Sequence, residues 1–119
     1  MKQIVRSLSV VSLLLGASIA VSAAQVDGIL MDKMCSASAM KDGQGFATKH
    51  DVKCALEAPC MKSGYGVFTA DGKFLTFDAA GNTKAMAALK ATKKLDNLKV
   101  SVMGDVTGSA IKVDSVTLQ

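Results

Sequence analysis

The side chains best suited to metal binding or reaction are those of the three cysteines and the only histidine of the chain: Cys35, His50, Cys54 and Cys60. Thiolate and imidazole groups bind soft metal ions, and thiols also form disulfides or act as nucleophiles. An odd number of cysteines leaves one sulfur that cannot pair within the chain. These four side chains are therefore the candidate functional residues, and their chemistry depends on what the third sulfur does.

The first hypothesis is a structural disulfide among Cys35, Cys54 and Cys60. Pairing Cys35 with Cys54 would close a loop of about 20 residues and stabilise the fold by roughly 3 kcal/mol. Pairing Cys54 with Cys60 would close about seven residues and contribute roughly 2.4 kcal/mol. Either bridge would tether the segment that carries the cysteines. On this hypothesis the protein is a small binding or structural domain with one thiol left over.

The second hypothesis is a soft-metal site. If residues 50–57 are helical, His50 and Cys54 lie one turn apart on the same face. Cys35 and Cys60 would complete a Cys₃His set, which is an accepted donor set for zinc. Four nearby methionines would suit copper(I) better, although they could equally be packing residues: Met31, Met34, Met40 and Met61. The cofactor predicted by this alternative is copper or zinc.

The third hypothesis is thiol redox chemistry. Cys54 and Cys60 are separated by five residues that include Pro59, whereas reactive pairs usually have the spacing C-x-x-C. His50 could activate Cys54 as a nucleophile, with Asp32 or Asp51 as the residue that orients the imidazole. No G-x-S-x-G motif is present in the sequence. We therefore expect that the protein is not an enzyme and rank a redox role below the other two.

The first 24 residues have the pattern of a secretory signal peptide. Lys2 and Arg6 precede an apolar run over residues 8–21, and small residues follow at 22–24, as a signal peptidase requires. The apolar run is shorter than the roughly 20 residues of a membrane span. We expect a periplasmic or secreted protein whose single domain covers residues 25–119, with no stable membrane insertion after cleavage.

The charge balance argues against a nucleic-acid partner. The chain has 14 basic and 10 acidic residues. Without Lys2 and Arg6 the remaining basic residues are all lysines, so no arginine can make bidentate contacts to phosphates or bases. The expected partners are a small molecule, a peptide or a metal ion.

Hydrophobic periodicity predicts strands at residues 26–31, 65–70, 73–78, 98–106 and 111–118, and helices at 51–56 and 82–92. Asn82 is the predicted cap of the second helix. Residues 36–49 lack periodicity and are predicted to form a loop. The order β1-β2-β3-α-β4-β5 is typical of a mainly β, five-stranded OB-like barrel. The segment that contains the cysteines and the histidine is then an insert between β1 and β2.

Two details of the strands can be tested. A two-residue turn at Asp71-Gly72 would pair Phe68 with Leu75 and place both on the core face. Tyr65, Val67 and Phe74 would then share the opposite face, which is either covered by the insert or exposed as a ligand face. A change of apolar parity in the last strand predicts a β-bulge near residues 114–115.

The chain resembles a family of small exported bacterial proteins of unassigned function. The resemblance rests on the pattern D-x-x-C…H-x-x-x-C…C at Asp32, Cys35, His50, Cys54 and Cys60, on Asp71-Gly72-Lys73 between strands, and on residues 100–113. The resemblance implies an OB-type domain and export, and it implies no reaction. The spacing from Cys54 to Cys60 is wider than the C-x-x-x-C that the family implies.

Overall fold

The computed structural model describes residues 24–119, so the signal peptide predicted for residues 1–24 lies outside this part of the chain apart from Ala24. The described residues form five strands and five helices. In chain order they are β1 (Ala24–Asp32), α1 (Lys33–Asp42), α2 (Gln44–Lys49), α3 (Val52–Ala55), α4 (Ala58–Ser63), β2 (Tyr65–Phe68), β3 (Phe74–Phe77), α5 (Ala79–Ala91), β4 (Lys99–Thr107) and β5 (Ala110–Leu118).

The strands form one mixed sheet that closes into a ring in the order β1-β2-β3-β5-β4. All neighbouring strands are antiparallel except β3 and β5, which are parallel. The order in the ring differs from the order along the chain because α5 carries the chain from β3 across to β4. Strand β4 pairs with β1, and β5 then returns to lie between β4 and β3. The five predicted strands and the closed sheet are confirmed.

The prediction of a mainly β chain is wrong, because the insert between β1 and β2 is helical. Residues 36–49, which we expected to form a loop, belong to α1 and α2. These helices bury alanines, Ala39 and Ala47, instead of a stripe of large apolar residues. A helix that packs through alanine has good intrinsic propensity but leaves little periodic signal in the sequence.

Of the remaining two helices of the insert, α3 was predicted and α4 was not. The predicted helix over residues 51–56 is confirmed as α3, which begins after Asp51. Pro59 lies in the first turn of α4, where its missing N–H has no intrahelical partner to lose. The proline therefore starts a further helix instead of only ending the previous one.

The register predicted for the β2–β3 hairpin is wrong by one residue. Phe68 pairs with Phe74, and Val67 pairs with Leu75. The Thr69 N–H donates to the Lys73 carbonyl at 2.8 Å, so the loop is longer than the two residues expected. The Thr69 hydroxyl also bonds to the Asp71 carboxylate inside this loop. A shift of one residue exchanges the two faces of the hairpin.

Because the two faces are exchanged, Tyr65, Val67 and Phe74 do not lie together on one face as predicted. Tyr65 and Val67 point into the ring and are fully buried there, whereas Phe74 packs on the outer side against the insert. These three residues therefore share no exposed surface. Their burial agrees with the alternative in which apolar side chains of the hairpin are covered.

Two apolar clusters hold the described residues together. The larger one fills the ring and packs against α5; its largest fully buried members are Leu30, Tyr65, Val67, Leu89, Leu98, Val100, Val102 and Ile111. The smaller one lies between the outer face of the β1–β2 pair and the insert, and contains Ile29, Met31, Ala39, Ala47 and Phe68, with Cys35, Phe46 and Phe74 at its edge. The insert is thus attached to the sheet by its own apolar cluster.

The bulge predicted near residues 114–115 is confirmed. Met103 pairs with Ser115 while Gly104 pairs with Val113, so Asp114 is the extra residue. Helix α5 begins earlier than predicted, since Asp78 rather than Asn82 is its cap. The Asn82 side chain instead accepts a hydrogen bond of 2.8 Å from the Tyr65 N–H. None of the described helices is long and apolar enough to cross a bilayer.

Candidate metal centre

The insert brings together the four residues that the sequence singled out. Cys35 lies in the first turn of α1, His50 follows α2, and Cys54 and Cys60 belong to α3 and α4. The three Sγ atoms lie within 4.8 Å of one another in pairs, and one His50 nitrogen lies within 4.8 Å of the sulfurs of Cys35 and Cys54. Four short helical elements therefore converge on one cluster of soft donor atoms.

The predicted disulfide is absent: in the described residues, Cys35, Cys54 and Cys60 are all free thiols. A disulfide needs a sulfur–sulfur distance of about 2.05 Å between two partners. The three cysteine sulfurs instead lie within 4.8 Å of one another, so no cysteine is left outside the group. The question of which cysteine is unpaired therefore does not arise in this arrangement.

Two D-x-x-C segments set the positions of Cys35 and Cys54. The Asp32 Oδ2 atom accepts a hydrogen bond of 2.9 Å from the Cys35 N–H, and Asp51 Oδ1 accepts one of 2.7 Å from the Cys54 N–H. Each aspartate is the N-cap of its helix, so each cysteine occupies the third helical position. The D-x-x-C spacing, which occurs at both positions, is the sequence signal for these two helix caps.

His50 contacts a buried carboxylate. Its Nε2 atom lies 2.8 Å from Asp32 Oδ1, and the two residues are only 5% and 0% exposed. Both ring nitrogens of His50 are buried, and neither has a partner with hydrogen-bond geometry among the described residues; Nε2 is the one that contacts Asp32. A buried polar atom without a partner is unfavourable by about 1–3 kcal/mol. The imidazole thus has a donor atom that a bound ion could satisfy.

Burial and the neighbouring carboxylate disfavour thiolates in the absence of a cation. Burial, followed by the negative charge of Asp32, raises the pKa of Cys35 and raises that of Cys60 to about 11. Burial would also raise the pKa of Asp32, but its hydrogen bonds with His50 and the Cys35 N–H outweigh that effect and lower it. A cation that binds here must therefore displace the protons of the thiols. These thiols lie next to the ionised carboxylate of Asp32.

One side of the cluster opens to solvent. A surface cavity of about 250 Å³ is lined by Phe46, Lys49, His50, Asp51 and Cys54. Two of these residues, His50 and Cys54, also belong to the cluster, so the cavity borders the group of donor residues. Cys60, in contrast, is buried on the inner side.

Tyr65 connects the sheet to the helix that carries Cys54. Its hydroxyl donates a hydrogen bond of 2.8 Å to the Ala55 carbonyl. Burial, with smaller contributions from the charges of Asp32 and Cys60, raises the pKa of Tyr65 to about 12. The phenol therefore remains a donor at every pH at which the protein would be studied. This contact was not anticipated, because the sequence places Tyr65 ten residues from its partner.

We expect Tyr65→Phe to destabilise the metal-free protein by about 1–3 kcal/mol, because the Ala55 carbonyl would lose its buried donor. Urea unfolding with a chelator present measures this effect. Thr83→Ala removes an exposed hydroxyl that bonds within α5 and should change stability by less than about 0.5 kcal/mol. Equal free energies of unfolding for the Tyr65 variant and the wild type would show that this hydrogen bond does not stabilise the fold.

The methionines near the cysteines lie in different environments. Met31 is fully buried in the cluster beneath the insert, and Met61 packs against the larger core. Met34 and Met40 are exposed. The packing interpretation therefore fits Met31 and Met61. Glu57 also lies close to the sulfurs of Cys54 and Cys60, but its side chain is exposed to solvent.

Comparison with known proteins found no matching family model, no matching curated protein and no matching solved structure.

Proposed function

We propose that this protein is a metal-binding domain that holds one zinc ion through Cys35, His50, Cys54 and Cys60, with copper(I) as the competing occupant. The observation that carries the proposal is the convergence of four soft donors from four separate elements. The buried Nδ1 atom of His50, which has no partner among the described residues, supports it. Polar atoms buried in this way are commonly ligands or partners of a bound group.

Charge and donor number favour zinc over copper(I). The three thiolates and the nearby Asp32 carboxylate are all negative when ionised, and Asp32 is fully buried. A divalent ion neutralises more of this charge than a monovalent one does, which matters where water is excluded. Three thiolates and one imidazole also form an accepted tetrahedral zinc set. Copper(I) would gain from additional thioethers, but Met34 and Met40 extend into solvent.

The remaining parts of the proposal concern the scaffold and its location. We class the closed five-stranded sheet as an OB-type barrel whose β1–β2 connection has expanded into the metal-binding insert. The signal peptide predicted from the sequence of residues 1–24 favours export to the periplasm or the medium. The role is binding rather than catalysis, since the four donors would complete the coordination of zinc and leave no open position for a substrate.

Competition titration tests the proposal. The reduced protein is titrated with Zn(II), and separately with Cu(I) under exclusion of oxygen, in the presence of a chromophoric chelator that reports the free ion. We expect one zinc ion per chain, and its release on acidification as the thiolates regain their protons. If the protein competes with the chelator for neither ion, the proposal is overturned. If one pair of cysteines were then found oxidised, the domain tethered by a disulfide would be favoured instead.

A further inference from the structure

Asp32 is fully buried and uses both of its carboxylate oxygens within the candidate site. Oδ2 accepts the hydrogen bond from the Cys35 N–H at 2.9 Å, and Oδ1 lies 2.8 Å from His50 Nε2. The residue therefore contacts two of the four candidate ligands at once. A carboxylate suits this position because it can accept at both oxygens.

The contact with Asp32 distinguishes the two nitrogens of the His50 ring. An imidazole that binds a metal has one nitrogen with a free lone pair, and its other nitrogen usually carries a proton that is donated to a carboxylate or a carbonyl. Nε2 faces the carboxylate, although the oxygen lies off the direct line of an Nε2–H bond. Nδ1 is buried and has no partner among residues 24–119. The two nitrogens thus match the two roles.

We propose that His50 binds the metal through Nδ1, and that Asp32 is a positioning residue that holds the Nε2 proton and fixes the orientation of the ring. This inference rests on the proposed function and names the histidine atom that would bind the metal. On this proposal Asp32 is not itself a metal ligand. The Asp32 carboxylate also lies within 4.8 Å of the sulfurs of Cys35 and Cys60. Its Oδ2 caps α1 and its Oδ1 contacts His50, so direct coordination by Asp32 would break one of these two contacts.

The second D-x-x-C segment offers a matched control. Asp51 caps α3 and accepts a hydrogen bond from the Cys54 N–H, as Asp32 does for Cys35 in α1. Asp51 is exposed, and Asp32 is the aspartate that contacts His50 in the described residues. Asparagine is as good an N-cap as aspartate, so Asp→Asn at either position preserves the cap. Only at position 32 does the change remove a carboxylate from the imidazole.

Nuclear magnetic resonance of the protein labelled with ¹⁵N and loaded with ¹¹³Cd tests the assignment, with Cd(II) as the probe for the zinc site. We expect coupling between the cadmium nucleus and Nδ1 of His50, and a protonated Nε2. Coupling to Nε2 would overturn the inference while leaving the proposed function intact. Failure of the wild-type protein to bind either Cd(II) or Zn(II) would overturn both.

Affinity measurements on the two variants complete the test. Asp32→Asn should weaken zinc binding by about 10–100-fold, the usual effect of removing the carboxylate partner of a ligating histidine. Asp51→Asn keeps the cap of α3 and should weaken zinc binding much less than Asp32→Asn does. Equal affinities for the two variants would contradict a positioning role for Asp32. If Asp32→Asn fails to fold, the coupling observed in the wild-type protein decides the assignment by itself.

Discussion

Replacement of Cys54 by serine should reduce the affinity for zinc by more than about 100-fold, which exceeds the effect of losing a residue that only supports a ligand. The sulfur of Cys54 lies within 4.8 Å of the other two sulfurs and of a His50 nitrogen, so its loss removes a donor that is close to all three of the others. A serine hydroxyl stays protonated near neutral pH and is a poor substitute for a thiolate. The same chelator competition measures the change.

Two controls separate loss of a ligand from loss of structure. In the metal-free state, Cys54→Ser should have little effect on unfolding, because the hydrogen bond from its backbone N–H to Asp51 remains. Once zinc is added, only the wild type should gain stability, since a ligand that binds the native state raises the free energy of unfolding. Met40→Leu removes an exposed sulfur from α1 and should retain full affinity. Unchanged zinc binding by Cys54→Ser would show that the four-residue cluster is not the site.

The largest expected loss of stability, about 3 kcal/mol, is for Gly28→Ala, because an added methyl group overpacks a closed structure. A Cβ atom at position 28 would lie 2.3 Å from the Phe68 carbonyl oxygen and 2.7 Å from Val67 Cγ2. The oxygen belongs to the backbone of β2, so it cannot move without opening the β1–β2 pair. Urea unfolding in the presence of a chelator measures this effect without a contribution from metal.

Gly45→Ala is the matched control for this substitution. No atom lies within 4 Å of a Cβ built at Gly45, and its backbone is not left-handed. The residue lies in α2, where alanine is favoured over glycine by about 0.5–1 kcal/mol. Gly45→Ala should therefore stabilise the protein slightly. Similar stability for both variants would contradict the close approach of β1 and β2 at Gly28.

The strands were predictable because their apolar residues alternate over long stretches. Leu98, Val100 and Val102 alternate with polar residues, and all three are buried as expected. The change of parity between Val113 and Val116 also identified the bulge at Asp114. These features depend on local periodicity, which the sequence records directly.

The errors arose where side-chain hydrogen bonds determine the local structure. Asp71-Gly72 is a strong signal for a two-residue turn, but bonds made by Thr69 lengthen the loop and shift the register. Helices α1 and α2 were not predicted because alanines, rather than large apolar residues, are buried from them. Aspartate caps at positions 32 and 51 were the available signal for helix starts.

The candidate site was predicted in part. The sequence identified all four donor residues and named Asp32 as a candidate orienting residue for His50. It also favoured a disulfide, because an exported small domain commonly has one. Sequence spacing cannot show that three sulfurs lie within 4.8 Å of one another, since this depends on how the helices of the insert pack together. Nor can it show which nitrogen of His50 faces the carboxylate.

Thiol protection is the most direct measurement of a shared metal site. The reduced protein is treated with iodoacetamide, with and without one equivalent of zinc, and the modified cysteines are counted by mass spectrometry of the intact chain. Zinc should protect the two half-buried thiols, Cys35 and Cys54, and removal of the ion by a chelator should restore their labelling. Labelling of both thiols at the same rate with and without zinc would contradict coordination by this cluster.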